Sequence, residues 1–580
     1  MMHRRVLGLA YGALLLSGCS PANDATGSTP YSPPSTPVLT PPAPPPEPEP
    51  PRPWISEGTI DDATLPTLQV VPAGATFVDP ITVLVNHDPG VEVRYTLDGS
   101  DPTAPKALTY THPLELTASA ELRVFAENQW GASAASATFV SVDKSFDGFS
   151  SNLPLLVLWT TDDAPVNKSE TYTGFTLSTF EPPGAGQITL PSSAAFSGRA
   201  GLRVRGSSSS GFPKKPYRLE LWDPLVDGAD DRHPLLGMPS DADWVLTSPL
   251  TFDRGFMRNA LAYAFSNAIG RYAPRTEFAE VFVIEQGGTL GIEQYVGIYV
   301  VTERIERHDD RLDIARLDPK DIAEPDVTGG WLFKEDRPGP NDSGFTAAVD
   351  GTGLDFEQPF VYVDPGPDTV VLEQESYLVS LLDELGVAVS TPGFIHPVTG
   401  RHYNEIIDVD AWIDHHIINL VTKNPDAFRL SGFLHQDRGG LLVAGPVWDF
   451  DRTMNCARDS RASDPTWWDA RNQTSDTTEY FDHGFYGGLF DDTAFRAAYF
   501  ARLDTLLTTS LSQPSLIALV DGFADQLEEA APRNYEAWID YPPRDTFADE
   551  AQLLRDWLTD RHAWISACLL LPDPMTCVGD

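Results

Sequence analysis

Hydrophobic and polar positions alternate in short runs along the first part of the chain and change to a helical period further on. Ile81-Thr82-Val83-Leu84-Val85, Val91-Glu92-Val93-Arg94-Tyr95-Thr96, Leu122-Arg123-Val124-Phe125-Ala126 and Ala137-Thr138-Phe139-Val140 predict strands. Between them, Leu97-Asp98-Gly99-Ser100-Asp101-Pro102-Thr103 has the Asp-Gly and Asp-Pro steps of a tight turn. Leu202-Arg203-Val204-Arg205-Gly206 is a strand entering the serine loop 207–210, and Tyr217-Arg218-Leu219-Glu220-Leu221 resumes the alternation. Val281-Phe282-Val283-Ile284 and Val296-Gly297-Ile298-Tyr299-Val300 predict a hairpin closed by Gly287-Gly288. Met257, Leu261, Ala264, Phe265 and Ala268 share one helical face and predict a buried helix. Ile413, Ile417, Leu420 and Val421 form a second stripe, capped by Asp408 or Asp410 and ended at Asn424-Pro425-Asp426, because proline cannot continue a helix. A further hairpin follows, Gly432-Phe433-Leu434-His435-Gln436 turning at Asp437-Arg438-Gly439-Gly440 into Leu441-Leu442-Val443-Ala444, and it delivers Trp448-Asp449-Phe450-Asp451. The expected class is α+β: a small all-β sandwich over 62–145, then a large domain over 150–580 with a helical C-terminal part.

Composition changes this picture at the N-terminus. His3, Arg4 and Arg5 precede the apolar run Val6 to Leu16, too short for the roughly 20 residues of a spanning helix. Leu16-Ser17-Gly18-Cys19 then resembles a bacterial lipobox, which implies that 1–19 is a lipoprotein signal peptide with Cys19 lipidated. By the same resemblance, Ser20 implies delivery to the outer membrane, with the folded part in the cell envelope or at the cell surface. Residues 20–61 are rich in Pro, Ser, Thr and Glu and cannot bury enough apolar surface to fold, so an extended stalk is expected. The formal charge of −43 excludes binding along a nucleic-acid backbone, which needs clustered Lys and Arg. Of the later cysteines, Cys568 and Cys577 can close a short loop, which leaves Cys456 free or competing for a partner.

The chemistry concentrates between 408 and 451. The hairpin folds the chain back, so Asp426 and Asp449 can meet although 23 positions separate them (449 − 426). One aspartate after a helix and one after a hairpin is the plan of phosphoryl transfer: the first accepts a hydroxyl proton, the second holds a metal on the phosphates. Positioning and charge neutralisation do most of the work there. Trp448-Asp449-Phe450-Asp451, Asn424-Pro425-Asp426, Lys215-Pro216-Tyr217-Arg218-Leu219-Glu220, Gly297-Ile298-Tyr299-Val300-Val301-Thr302-Glu303, and Asp243-Trp244-Val245-Leu246 followed by Asp253 and Met257-Arg258-Asn259 together resemble the spore-coat H (CotH) kinase family over about 153–565. Tyr95 to Thr103 resembles the small β-sandwich appended to chitobiases and β-hexosaminidases.

The kinase resemblance implies a diverged protein-kinase-like fold and an atypical protein kinase. It would use ATP and Mg²⁺ or Mn²⁺ to phosphorylate Ser or Thr of a surface or secreted protein. It implies Asp426 as catalytic base, Asp449 as principal metal ligand, Asp451 as a second ligand, and Lys215, Arg205 and Trp448 as cofactor-binding residues. Glu303 is expected in an ion pair. Ser431 stands where kinases place the asparagine of their second metal, and Lys334 where a neutral or acidic residue is expected. Adjacent His415 and His416 point apart on a helix, so a structural role is expected for them, as turn formation is for Asp98 and Asp101 and core packing or a lid for Trp467-Trp468. Two other readings stay open: a kinase-like scaffold or adhesin that has lost transfer, and a metal-dependent hydrolase built on the same carboxylates.

Overall fold

The computed structural model describes residues 65–161, 166–169, 171–338, 343–348, 357–469 and 479–577. The signal segment with Cys19 and the stalk expected over 20–61 lie outside the described residues. The alternating runs of the N-terminal module pair as two sheets. Ile81–His87 lies between Leu68–Val71 and Leu114–Leu116, while Ala120–Asn128 and Gly131–Ser141 form the centre of a five-stranded sheet. Their inward positions, among them Val83, Val93, Leu122, Val124 and Phe139, close over one apolar core. At the turn, Asp98 accepts the Ser100 amide at 3.1 Å and Asp101 that of Thr103 at 2.7 Å, so both carboxylates serve the turn itself.

Seven of the strands that follow close on themselves. Leu155–Trp159 pairs antiparallel with Thr173–Phe180 and parallel with Thr276–Ile284, and this parallel contact completes a barrel that also contains Phe196–Val204, Tyr217–Trp222, Asp243–Thr247 and Tyr295–Glu303. Alternation then sorts side chains: Ala200, Leu202, Leu219, Leu221, Trp244 and Val301 fill the interior, and their sequence neighbours face outward. Thr276–Ile284 and Tyr295–Glu303 form the expected antiparallel pair. Their connection is not a tight Gly-Gly turn but the longer segment 285–294, which contains a short 3₁₀ turn at Ile292–Gln294.

The helical part comprises α1 (Arg258–Ala268), α2 (Leu372–Ser390), α3 (Val409–Thr422), α4 (Phe485–Asp491), α5 (Thr493–Thr508), α6 (Gln513–Leu527), α7 (Ala531–Ala537) and α8 (Phe547–Cys568). A five-stranded sheet ordered Gly344–Ala348, Glu357–Asp364, Trp331–Glu335, Gly432–Gln436, Val443–Ala444 packs with them. Outward Phe278, Ile298 and Val300 of the barrel join the same core as α1 and α3, so the barrel and the helical part share one apolar interior. Asp408 is the cap of α3 and accepts the Ala411 amide at 2.9 Å. Cys568 and Cys577 are disulfide-bonded, and Cys456 is free and buried, its thiol pushed up to about 12 by burial. Among the described residues no helix is long and apolar enough to cross a membrane.

His416 lies in this core against Phe428 and Tyr499 rather than beside His415 at a shared site. Its Nε2 faces the Tyr480 carbonyl at 3.0 Å and its Nδ1 the Tyr499 hydroxyl at 2.9 Å, so the neutral ring satisfies both partners. Burial lowers its pKa to about 3, whereas the unfolded imidazole takes up its proton near 6.5. Between those values the unfolded chain binds the extra proton, so stability is full above about 6.5 and falls as pH drops. The expected loss is roughly 1.4 kcal/mol per pH unit below about 6.5 from this residue. Urea denaturation at stepped pH checks it, with His416→Gln expected to flatten the slope.

Candidate active site

Helix α1 is the platform of the site. Asp253 caps its start, accepting the Arg258 amide at 2.8 Å and the Arg258 guanidinium at 2.7 Å, with both side chains buried. The rest of that guanidinium donates to the carbonyls of Thr453, Met454 and Asn455 at 2.9, 3.1 and 3.0 Å. Asn259 Oδ1 accepts the Phe450 amide at 2.7 Å. One turn on, the Tyr263 hydroxyl accepts the Asp449 amide at 3.4 Å, and the Tyr263 ring stacks on Trp448 with centroids 5.6 Å apart. Three side chains of one helix therefore hold residues 448–455. Asp449 itself takes a left-handed backbone, φ 68°, which a non-glycine residue seldom adopts without support.

Asp449 is open to solvent by surface area, yet enough protein surrounds its carboxylate to desolvate it. That desolvation raises its carboxyl above the usual range; Arg205 opposes the shift, and Asp426 adds to it. Asp451 is raised well above that range by burial first and then by Asp449, with Arg452 opposing. Among the described residues, neither carboxylate accepts a hydrogen bond or closes an ion pair within 4 Å. The pair is thus crowded with negative charge and rich in unused hard oxygen ligands. No group of three or more His, Cys, Asp or Glu side chains among the described residues converges as for a metal. Mg²⁺ needs only one or two carboxylates when phosphates and water complete its shell, so the donor set fits that ion.

The hairpin does bring the two expected aspartates to one place. Asp426 lies close enough to raise Asp449, and its turn is pinned: Asn424 Oδ1 accepts the Asp426 amide at 3.1 Å and the Tyr480 hydroxyl donates to the Asn424 carbonyl at 2.6 Å. Sequence reading missed the guanidiniums around it. Asp426 Oδ1 accepts from Arg429 at 2.8 Å and Arg461 at 3.0 Å, and Oδ2 lies 3.9 Å from Arg452. Spacing gives no sign of Arg461, which reaches back across 35 positions.

The outer face of the barrel contributes cations to this region. Arg205, just past Phe196–Val204, sits over the Trp448 ring at 5.3 Å and faces Asp449. Tyr263 packs on that same ring, so Trp448 carries the guanidinium and anchors to α1. Arg203 stands directly opposite Arg218 in the register of the neighbouring strands, an arrangement that costs energy for like charges. Arg218 is lowered to about 10 by burial and by Arg304, with Arg203 and Arg205 adding. Its signal was present in the sequence as an outward position of Tyr217–Trp222. Lys215 donates to the Ser210 carbonyl at 2.9 Å, closing its own loop. Its neighbour Lys214 is buried, with its amine on Asn534 Oδ1 at 2.9 Å and on the Ile298 carbonyl.

The remaining expected residues lie at the edges. Glu303 is buried and paired with Arg275 at 2.7 Å, a structural ion pair as expected. Lys334 pairs with Asp336 at 2.6 Å, and Asp336 adds to the negative field on Asp449. Ser431 takes φ 54° immediately before Gly432–Gln436. Trp468 packs in the core against Trp564.

Comparison with known proteins places two families on this geometry. The family described as CotH kinase protein matches residues 202–565, more than half of the chain, which includes every site residue named above. The family described as chitobiase/beta-hexosaminidase C-terminal domain matches residues 71–139, the N-terminal β module. No curated protein matches the chain.

Proposed function

The chain belongs to the CotH kinase protein family, and on that premise we propose that it is an extracytoplasmic protein kinase that moves the γ-phosphoryl group of ATP to Ser or Thr. The observation that carries this reading is the meeting of Asp426 with the Asp449–Asp451 pair, together with the cations of the barrel's outer face. The order helix, loop aspartate, hairpin, second aspartate supports a diverged kinase-like arrangement.

Asp449 and Asp451 would hold Mg²⁺ or Mn²⁺, which when bound neutralises charge on the phosphates. Arg205 and Arg218 would take phosphate oxygens, and such an anion relieves the repulsion between Arg218 and Arg203. Asp426 would accept the acceptor hydroxyl proton at Oδ2, the oxygen with only the longer arginine contact. The acceptor oxygen then bonds to phosphorus as the bond to ADP breaks. The N-terminal sequence supports a lipid anchor at Cys19, a stalk, and a surface or secreted protein as substrate. A scaffold reading draws on one observation, the engagement of Asp426 by Arg429 and Arg461.

Transfer of label from γ-labelled ATP, with Mn²⁺ or Mg²⁺, to the protein and to a generic acceptor decides between them. Incorporation is expected in wild type and lost in Asp426→Asn, with Arg218→Gln needing at least tenfold more nucleotide. Wild type that neither binds nucleotide nor transfers label supports the scaffold.

A further inference from the structure

The outer wall of the barrel carries a recess at its other end. Positions facing outward form a grid: Tyr172 and Gly174 lead onto or lie in Thr173–Phe180, Arg199, Gly201 and Arg203 lie on the next strand, and Trp222, Glu220 and Arg218 lie on the third. Gly201 leaves room for the Trp222 indole, since a Cβ there would lie 2.2 Å from the ring. Glu220 sits between the aromatics and accepts the Trp222 Nε1–H at 2.8 Å. The β module docks over this recess. Glu121 of the module pairs with Arg199 of the barrel, and Arg123 donates to the Pro224 carbonyl at 2.8 Å. Between module and barrel remains a cavity of about 770 Å³, lined by Trp222 and Tyr172, by Thr160, Thr161 and Thr171, and by acidic residues.

The lining selects its ligand. Among the described lining residues, Asp98, Glu121, Glu220 and Asp227 outnumber the one cation, Arg199, which Glu121 and Asp227 already hold. An anion is therefore repelled. A neutral molecule rich in hydroxyls can donate to these carboxylates and pack on the rings, which is how polar pockets of this size fix a ligand. We propose that this cavity is a binding site for a neutral saccharide, created by docking of the β module on the barrel. The site shares one strand face with Arg205, and six residues of strand put Arg199 about 20 Å from it. A glycan held here thus lies on the same wall as the phosphate-facing arginines, and the proposal itself does not depend on phosphoryl transfer.

The test uses the full chain, fluorescently labelled, on a printed array of neutral, amino, uronic and sulfated oligosaccharides. Calorimetry with the strongest neutral tetrasaccharide follows. Neutral glycans alone are expected to retain the protein, with affinity falling at least tenfold in Tyr172→Ala and in Glu220→Gln. Tyr172 is only half-buried and Glu220→Gln is isosteric, so a folded variant is available whichever is more disruptive. A blank array, a preference for anionic glycans, capture only by an oligo-arginine peptide, or unchanged binding in both variants overturns the proposal.

Discussion

Asp449→Asn is expected to lower label transfer by about 10²–10³-fold or more while leaving the apo protein as stable as wild type or more so. The two halves of this result have one cause. The Asp449 carboxylate is desolvated by the protein around it, is raised further by Asp426 and Asp336, and raises Asp451 in turn. Asparagine keeps the shape, tolerates the left-handed φ of 68° better than most residues, and removes the charge. Relief of the crowded charge would stabilise the fold, and on the proposed function loss of the metal-type ligand would remove transfer. Thermal melts with and without MgATP separate this from general damage. Ligand that binds only the folded state raises the wild-type melting temperature by mass action, and that rise is expected to vanish in the variant. A variant that melts lower than wild type without nucleotide contradicts the account of Asp449 as a group held at a cost to stability for the sake of function.

Several of these features could be read from the residues alone. Alternation located the module strands, the stripe Ile413, Ile417, Leu420 and Val421 located α3, and Asp408 was one of two expected caps. The proline after Asn424 and the hairpin at 432–444 were enough to bring Asp426 and Asp449 together, because both are local in sequence. Closure of the barrel was not legible. It depends on the parallel pairing of Leu155–Trp159 with Thr276–Ile284, more than a hundred positions away, and no local pattern encodes that contact. Lys214 and Lys215 show the same limit at the scale of one residue. They are chemically alike and adjacent, yet one is buried on Asn534 and the other closes a surface loop. Only packing separates them. The arginines that meet Asp426 were invisible for the same reason, since Arg461 reaches it through a fold that spacing does not describe.

Asp253, Arg258 and Asn259 contributed to the family resemblance read from the sequence, and in the structure they pack against the segment that carries Asp449 and Asp451. Arg258→Met is expected to destabilise the protein by about 3–5 kcal/mol, the usual loss when one partner of a buried ion pair is removed. Asp253 would stay buried with its charge uncompensated, and the carbonyls of Thr453, Met454 and Asn455 would lose their donors. Asp253→Asn with Arg258→Met removes the charge problem and is expected to recover a large part of that loss, because a buried pair replaced at both ends is often close to neutral. Transfer should not recover with it. The double variant still lacks the guanidinium that ties 453–455 to α1, so Asp449 and Asp451 lose the fixed geometry on which charge stabilisation depends. Urea denaturation and label transfer measured on the same three proteins check both statements. Recovery of stability and activity together would mean that Arg258 serves only the core, whereas stability returning alone identifies it as the residue that positions the carboxylate pair.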